Sequence, residues 1–502
     1  MTIEQTVAKI KADQAEAAAK TPGTLAVYQG ANDGVELPPS SNRASGVHQP
    51  MPEVAGDHLN CQRFLQAHGP GVRFSRELGT WYRWNGSWLE EDRTGVVKGL
   101  AAETVNDLRK WVAESDNADE MKRRAAHYSA SSRSGRHNSL LDLASTDSAI
   151  RVSVDQLDSH PMMLACLNGA VNLATGELLP ADPDQLLTRG VNVDYDPEAQ
   201  SDLWDAFIRT IFDDDLELAG YVQRLLGYCT TGMIRDHVLA VFHGQGANGK
   251  SVLINSVKKI LGEHAMTAPE GLLIRQKHEP HPERIASLRG RRLVVSNELE
   301  EKAQLAEQMV KQLTGGDDLT AREMNGRRFT FPPTFKVLMV TNHKPRVTGT
   351  DHAIWRRLRL VPFTVTIPPE KDDKELTQRL VDEHAPAILT WLVQGARAWH
   401  HDGLGTCAAV DVATEEYRES QDRFGIFMAE CTEESHGART KVGDLWSRWR
   451  DWCEQAREVT GRKQDFSAAL LEHGVRIEPY QGTQYVRQIA VIPAQGTFGG
   501  VS

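Results

Sequence analysis

No apolar run in this 502-residue chain approaches the roughly 18 residues that a membrane span requires, so no membrane partner is expected. The six cysteines, Cys61, Cys166, Cys229, Cys407, Cys431 and Cys453, include no C-x-x-C pair. Neither a zinc ribbon nor a disulfide framework is therefore indicated, and reduced, mostly buried thiols are expected. Residues 1–20 are charged and alanine-rich and lack the apolar centre of a secretory signal, which points to a cytosolic-type protein. No repeat at solenoid spacing is present. A basic excess is also missing: the net charge is −11, which speaks against a nucleic-acid partner on average. The average hides a local reversal, because residues 270–360 hold 17 Lys plus Arg against 11 Asp plus Glu, a net of +6. An acidic protein with such a segment can still line a path for DNA with positive charge.

What is present begins with Gly244-Gln245-Gly246-Ala247-Asn248-Gly249-Lys250-Ser251, a fit to G-x-x-x-x-G-K-[ST]. In such a loop successive backbone N–H groups point inward on phosphate oxygens, aided by the positive end of the following helix. Lys250 would reach the β and γ phosphates and Ser251 would hold Mg²⁺. The flanks agree: 238–242 is an apolar strand pattern, and Val252, Ile254, Val257 and Ile260 form the apolar face of a helix. The alternative is a glycine-rich turn with an exposed lysine. Two apolar runs downstream end in polar groups. Residues 292–300 lead into Glu298 and Glu300, and 335–342 end at Asn342. A carboxylate at a strand's end beside the loop can organise Mg²⁺ or polarise water, and an asparagine amide can orient that water. Acids opening a surface helix and a plain strand-ending asparagine are the competing readings. Arg356 and Arg357 stand just before another strand pattern, where a guanidinium can serve a neighbouring subunit's γ phosphate.

The chain divides by pattern into an N-terminal segment poor in large apolar residues (1–55), an α+β domain (56–200), a parallel-sheet core with leading helices (201–372), a helical lid and connector (373–425) and a last domain (426–502). Trp81 to Trp88 alternates aromatic and polar residues around Asn85-Gly86, a hairpin pattern whose aromatics either pack on their own core, the favoured reading, or stack on bases with Arg83. A helical stretch is expected over 203–230, and in the last domain Trp446, Trp449 and Trp452 share a helix face. Helix, short helix and two-stranded ribbon across Gly482 follow the order of a winged helix.

Taken in order, Gly244 to Ser251, Leu293 to Glu300, Lys311 to Asp317, Thr320 to Arg322, Thr341 to Pro345 and Gly349 to Arg357 resemble superfamily 3 helicases, specifically the C-terminal helicase portion of phage and plasmid primases, an AAA+-type branch. Leu167 to Leu178 resembles the domain preceding the helicase in that family. The resemblance implies a multi-domain α/β protein: an AAA+-type P-loop ATPase with a parallel sheet, preceded by a mixed α+β domain and followed by a winged helix. It implies ATP and Mg²⁺ as cofactors, a homo-hexameric ring, and movement on single-stranded DNA during replication initiation in a bacterial host's cytoplasm. By residue, Lys250 and Ser251 match the Walker A pair, with Ser251 and Glu298 on the metal. Glu298 and Glu300 match the Walker B acids, Asn342 the sensor, and Arg357, or else Arg356, the finger. Lys311 falls in the following motif, and Arg322, Asn325, Arg327 and Arg328 sit where the family projects a DNA-contacting hairpin. Ser296-Asn297 before Glu298 departs from the family's unbroken apolar run, which leaves open which glutamate does which job. The family's primase-polymerase domain has no counterpart in 1–55, so primer synthesis is not expected, and a separate primase or replication protein is a partner to consider. Duplex origin DNA at the winged helix is a further expected partner. Two other classes compete: an ATP-dependent origin-binding initiator without efficient unwinding, and a small-molecule phosphotransferase.

Overall fold

A computed structural model describes residues 56–276, 282–297, 303–322, 326, 328–347, 352–456 and 460–492. The described residues form two compact units, one of 56–172 together with 177–195, the other of 173–176 together with the described residues from 196 to 492.

In the first unit, α1 (Asp57–His68) leads to β1 (Val72–Ser75), β2 (Thr80–Trp84) and β3 (Leu89–Glu91), then to α2 (Val96–Ala113), α3 (Ala118–Ser131) and α4 (Ser134–Ala144). β4 (Arg151–Val152) pairs parallel to β1 and completes a sheet ordered β3-β2-β1-β4. β5 (Met163–Cys166), β6 (Gly169–Asn172) and β7 (Glu177–Leu179) make a separate antiparallel ribbon, the short strands expected over 167–178. The Asn85-Gly86 hairpin is present, with Trp84 opposite Leu89. Its aromatics face inward: Tyr82 and Trp88 are buried, and Trp81 lies 4.9 Å from Phe74. Arg83 is paired to Glu90 at 2.7 Å, so the packing reading holds over base stacking.

The second unit opens with α5 (Asp202–Ile211) and α6 (Leu216–Tyr228). The helical stretch expected over 203–230 consists of two helices, because Asp213 and Asp214 both adopt positive φ, a left-handed turn that aspartate tolerates, and Asp215 then caps α6 by accepting from the Leu218 N–H. There follow β8 (Leu239–His243), α7 (Lys250–Leu261), β9 (Ala265–Thr267), α8 (Pro282–Ala286), β10 (Leu293–Asn297), α9 (Glu307–Thr314), β11 (Leu319–Arg322), β12 (Arg328–Phe331), β13 (Lys336–Thr341), α10 (His352–Trp355) and β14 (Leu358–Pro362). β8, β9, β10, β13 and β14 form a five-stranded parallel sheet ordered β14-β8-β13-β10-β9. Its strands are near-continuous apolar runs because helices cover both faces of a parallel sheet. β11 and β12 stand apart as a hairpin.

The long helix α11 (Leu376–Asp402) crosses α6 so closely that a Cβ at Gly227 would stand 2.1 Å from the Ala396 nitrogen, and one at Gly395 2.1 Å from the Gln223 carbonyl. No larger residue fits either position without parting the helices. α12 (Ala408–Gln421) lies against β14. The C-terminal part runs α13 (Arg423–Cys431), β15 (Thr432–Lys441), α14 (Val442–Gln455), α15 (Lys463–Glu472), β16 (Ile477–Tyr480) and β17 (Thr483–Val491), with β17 central in a three-stranded sheet. Trp449 and Trp452 are buried with Phe424, Phe427 and Phe466, as the tryptophan stripe predicts. All six cysteines are free and buried. Among the described residues no helix is long and apolar enough to cross a membrane.

The sheet is tied to α6 at the end of the strands away from the phosphate loop. Lys336 opens β13 and donates from Nζ to the Thr231 carbonyl, while Arg292, just before β10, donates from Nη1 to the Thr230 carbonyl at 2.6 Å. These carbonyls lie in the turn just beyond α6, near the helix's negative end, where cations are favoured. Burial pulls the Lys336 ammonium down to about 7, against a partial rise from Cys229 and a further fall from Arg292. Below pH 7 the charge is buried in full and opposes folding. Between pH 7 and 10.5 the unfolded chain carries a proton that the folded one lacks, so stability rises with pH by up to about 1.4 kcal/mol per unit. Lys336→Met should remove this part of the rise, measured as melting temperature between pH 7 and 9. A slope identical to wild type contradicts it.

Candidate functional site

The loop 244–249 joins β8 to α7, and its shape follows from three left-handed residues and two close contacts. Gly246 has φ 103° and Gly249 φ 78°, while Ala247 is also left-handed at 47°. A Cβ on Gly249 would come 2.3 Å from Ile211 Cγ2, so helix α5 backs the loop directly. A Cβ on Gly244 would come 2.3 Å from the Phe363 carbonyl. Two bonds tether the loop to the segment after β14: Ile367 N–H donates to the Ala247 carbonyl at 2.6 Å, and Asn248 Nδ2 donates to the Phe363 carbonyl at 3.3 Å.

Lys250 is the first residue of α7, and only 4% of it is exposed. Its Nζ donates to the Gly244 carbonyl at 2.8 Å, to Asn248 Oδ1 at 3.0 Å and to Asn342 Oδ1 at 3.3 Å. All three acceptors are neutral. Burial pulls the ammonium down to about 8, with no carboxylate among the causes to hold it up. The neighbourhood is electropositive in a second sense: burial, then Lys344, then Lys250 push the His243 imidazole below its usual value. A cationic, desolvated group at a helix N-terminus, answered only by dipoles, fits an anion.

The cavity in front of it, of about 230 Å³, is lined by Gly246 to Val252, Val340, Thr341 and Asn342, and by Ile367 and Asp372. Asn342 follows β13 directly, and Thr341 Oγ1 fixes that strand end by accepting from the His343 N–H at 3.0 Å. The structure therefore brings Gly246, Ala247, Asn248, Gly249, Lys250, Ser251 and Asn342 around one cavity; Gly244 joins through its carbonyl on Lys250, and Gln245 lies in the same turn. The strand leading to Glu298 is present as β10, parallel to β13; Glu298 and Glu300 themselves lie outside the described residues. Arg356 and Arg357 lie between α10 and β14. Arg357 is half-buried and donates from Nη1 to the Ala353 carbonyl at 2.8 Å, whereas Arg356 is exposed. Arg322 and Arg328 face each other across the β11–β12 hairpin, both exposed, with Arg322 Nε donating to the Gly326 carbonyl at 3.2 Å; Asn325 and Arg327 lie outside the described residues. Lys311 sits half-buried on α9.

The motif alone did not reveal three parts of the site. Asn248 occupies a position the pattern leaves free, yet it both holds Lys250 and anchors the loop. Ile367 and Asp372 come from a Pro-rich segment after the sheet, whose only sequence mark is Pro368-Pro369.

Residues 61–213 match the family described as D5 N terminal like, and residues 242–357 match a family of unknown function, DUF5906. "Putative helicase L207/L206" of Acanthamoeba polyphaga mimivirus is 24% identical over 420 residues, covering 74% of this chain and 43% of that protein. "Putative helicase 184R" of Invertebrate iridescent virus 6 is 28% identical over 243 residues, 46% of this chain and 25% of that protein. "Putative primase C962R" of African swine fever virus (isolate Tick/Malawi/Lil 20-1/1983) is 23% identical over 328 residues, 60% of this chain and 34% of that protein. The chain thus spans less than half the length of each of these relatives. Among solved structures, the A form apo structure of the NrS-1 C terminal region aligns at 13% identity and TM-score 0.46, over 73% of this chain and 76% of that one. The two family matches and the relatives' helicase and primase names are consistent with the superfamily 3 helicase–primase family, the resemblance read from the motifs. The relatives are viruses of eukaryotes, so the bacterial host expected from the phage resemblance finds no support.

An anion that binds only the ammonium form of Lys250 should show a pH limit set by its depressed pKa. ADP affinity is expected to be level below pH 8 and then to fall by roughly ten-fold per pH unit, because binding must now take up a proton. Lys250→Arg, charged throughout, should keep the affinity level to pH 10; calorimetric titration showing the same fall in both chains excludes this role.

Proposed function

We propose that this chain is an ATP-driven DNA helicase of superfamily 3 type, an AAA+-class motor that works as a ring, a homo-hexamer in the simplest case, on single-stranded DNA during replication initiation. The relatives' names support a replication-associated function of helicase or primase type. The observation that carries the finer reading is the contact of Lys250 Nζ with Asn342 Oδ1 at 3.3 Å. It brings the loop after β8 and the residue after β13 to one point. β8 lies between β13 and β14, the strand that follows the arginine pair, so three expected parts arise from three adjacent strands.

In this reading Lys250 leaves its neutral acceptors for the β and γ phosphates, and the loop's N–H groups hold the remaining oxygens. Asn342, once freed from Lys250, places its amide against the γ phosphate or the attacking water. Ser251 and Glu298 would hold Mg²⁺, which supplies neutralisation of charge on the β and γ oxygens when bound. Glu300 is the alternative acid. Arg356 is the better finger, because an exposed guanidinium can reach a neighbouring subunit, whereas Arg357 is engaged with Ala353 of its own chain. Arg322 and Arg328, on either side of a hairpin tip in the segment of net positive charge, fit contacts to DNA phosphates. The order α13-β15-α14-α15-β16-β17 supports the winged-helix reading of the C-terminal part.

ATP turnover with and without single-stranded DNA, with the assembly mass taken alongside on a non-hydrolysable ATP analogue, tests this function. Stimulated turnover and a multimer are expected; a monomer whose turnover ignores DNA and needs an acceptor substrate would instead be a phosphotransferase. Lys250→Ala should abolish turnover with the fold kept. Arg356→Ala should keep nucleotide affinity within about two-fold and lose turnover by roughly 10³-fold. If Arg357→Ala alone does this and Arg356→Ala turns over normally, the finger is Arg357.

A further inference from the structure

The C-terminal sheet has a buried face and an open one, and the alternation of residues along its strands separates them. Val486 is fully buried and is paired with Thr440 and Ile477 on its two sides, which sets the inner face. The neighbouring positions therefore turn outward: Arg439 opposite Arg487, Lys441 opposite Tyr485, and Glu478 opposite Tyr485 from the other strand. Tyr480, two residues beyond Glu478, shares this face and is 50% exposed. Its ring lies 6.1 Å from that of Tyr485, edge to face, and the Arg439 guanidinium stands 5.0 Å over it. Three cations meet one acid here, and that acid, Glu478, is already paired with Arg487 at 2.5 Å. On a chain of net charge −11 this is a local reversal. It is confined to the distal half of the sheet, since Glu433 and Glu434 occupy the other end of β15 beyond a register shift.

We propose that this outer face, with Tyr480 and Tyr485 as stacking platforms and Arg439 and Lys441 as phosphate contacts, binds single-stranded nucleic acid. The observations select this partner over two others. A duplex keeps its bases stacked inside and has no use for tyrosine rings on an open sheet, whereas an unpaired base lays its π-face on a ring or on a guanidinium plane. A peptide adding a strand needs a free edge, but the β16 edge carries Pro479, which has no N–H to offer, and the β15 edge is broken between Glu434 and Arg439. Neighbouring strands lie about 4.8 Å apart, so the three-stranded face accommodates on the order of two bases. The site stands on the C-terminal sheet alone and does not rest on the ATPase reading.

Fluorescence anisotropy of a labelled oligothymidylate with the full chain, without nucleotide, tests it. Tyr480→Ala should weaken binding about ten-fold and Tyr480→Phe should restore it to within about two-fold, because the ring and not the hydroxyl stacks. Arg439→Gln with Lys441→Gln should lower the log-log salt slope by about 1.4, at 0.7 per lost phosphate contact on a single strand. Both sets lie on the surface, and the charge pair remains informative even where Tyr480→Ala perturbs folding. Wild-type affinity and salt slope in the charge pair would overturn the proposal, as would an equal or larger loss for a duplex of the same length. Lys250→Ala should leave the anisotropy unchanged, which separates this site from the ATPase: turnover that ignores DNA sinks the motor but leaves this face standing.

Discussion

The second unit is organised around a positive charge held out of water by neutral oxygens alone. Lys250 is nearly fully buried and hydrogen-bonds a carbonyl and two side-chain amides, none of which carries charge. Such an arrangement opposes folding unless something else holds it. What holds it is the frame: α5 pressed against Gly249, the Phe363 and Ile367 tethers on the loop, and the parallel pairing of β8 with β13 that presents Asn342. An anion entering the cavity replaces three dipoles with charge, so binding relieves what folding stores. The depressed pKa and the proposed affinity for phosphate are two readings of one imbalance.

The opposite end of the same sheet handles cations differently. Lys336 and Arg292 are also buried, but they meet the Thr230 and Thr231 carbonyls in the turn after α6, and buried carbonyls need donors as much as the cations need acceptors. Two buried lysines of one unit thus differ in kind: Lys336 is tied to the turn after α6, while Lys250 at the start of α7 borders a cavity. Burial alone, or a lowered pKa alone, does not separate them; the separating fact is that Lys250 borders a cavity.

Much of this was legible in the sequence because it rests on local patterns. The glycine-rich loop, the strand before it and the helix after it, the asparagine after the fourth strand and the tryptophan core of the C-terminal part each follow from spacing of residues close in the chain. What escaped depends on contacts between distant residues or on a backbone choice. Asn248 matters because of Phe363, 115 residues away, and the α6–α11 crossing depends on two glycines that read singly as weak helix positions. The break between α5 and α6 was written in Asp213-Asp214-Asp215, but helical periodicity on both sides masked it. The C-terminal sheet's third strand, β15, has few apolar residues, since it packs mainly through Thr440 and the β17 ladder.

That polar strand also shows how the two candidate nucleic-acid surfaces differ. Among its described residues the β11–β12 hairpin offers exposed arginines but no exposed ring, which suits contacts to phosphates. The outer face of β15–β17 offers rings as well as charge, and stacking retains a strand at one place. Under the helicase reading proposed above, a motor stepping along a strand gains from weak, uniform contacts, while first capture of a strand gains from a stickier surface. Arginine alone and arginine with tyrosine would then serve those two tasks separately.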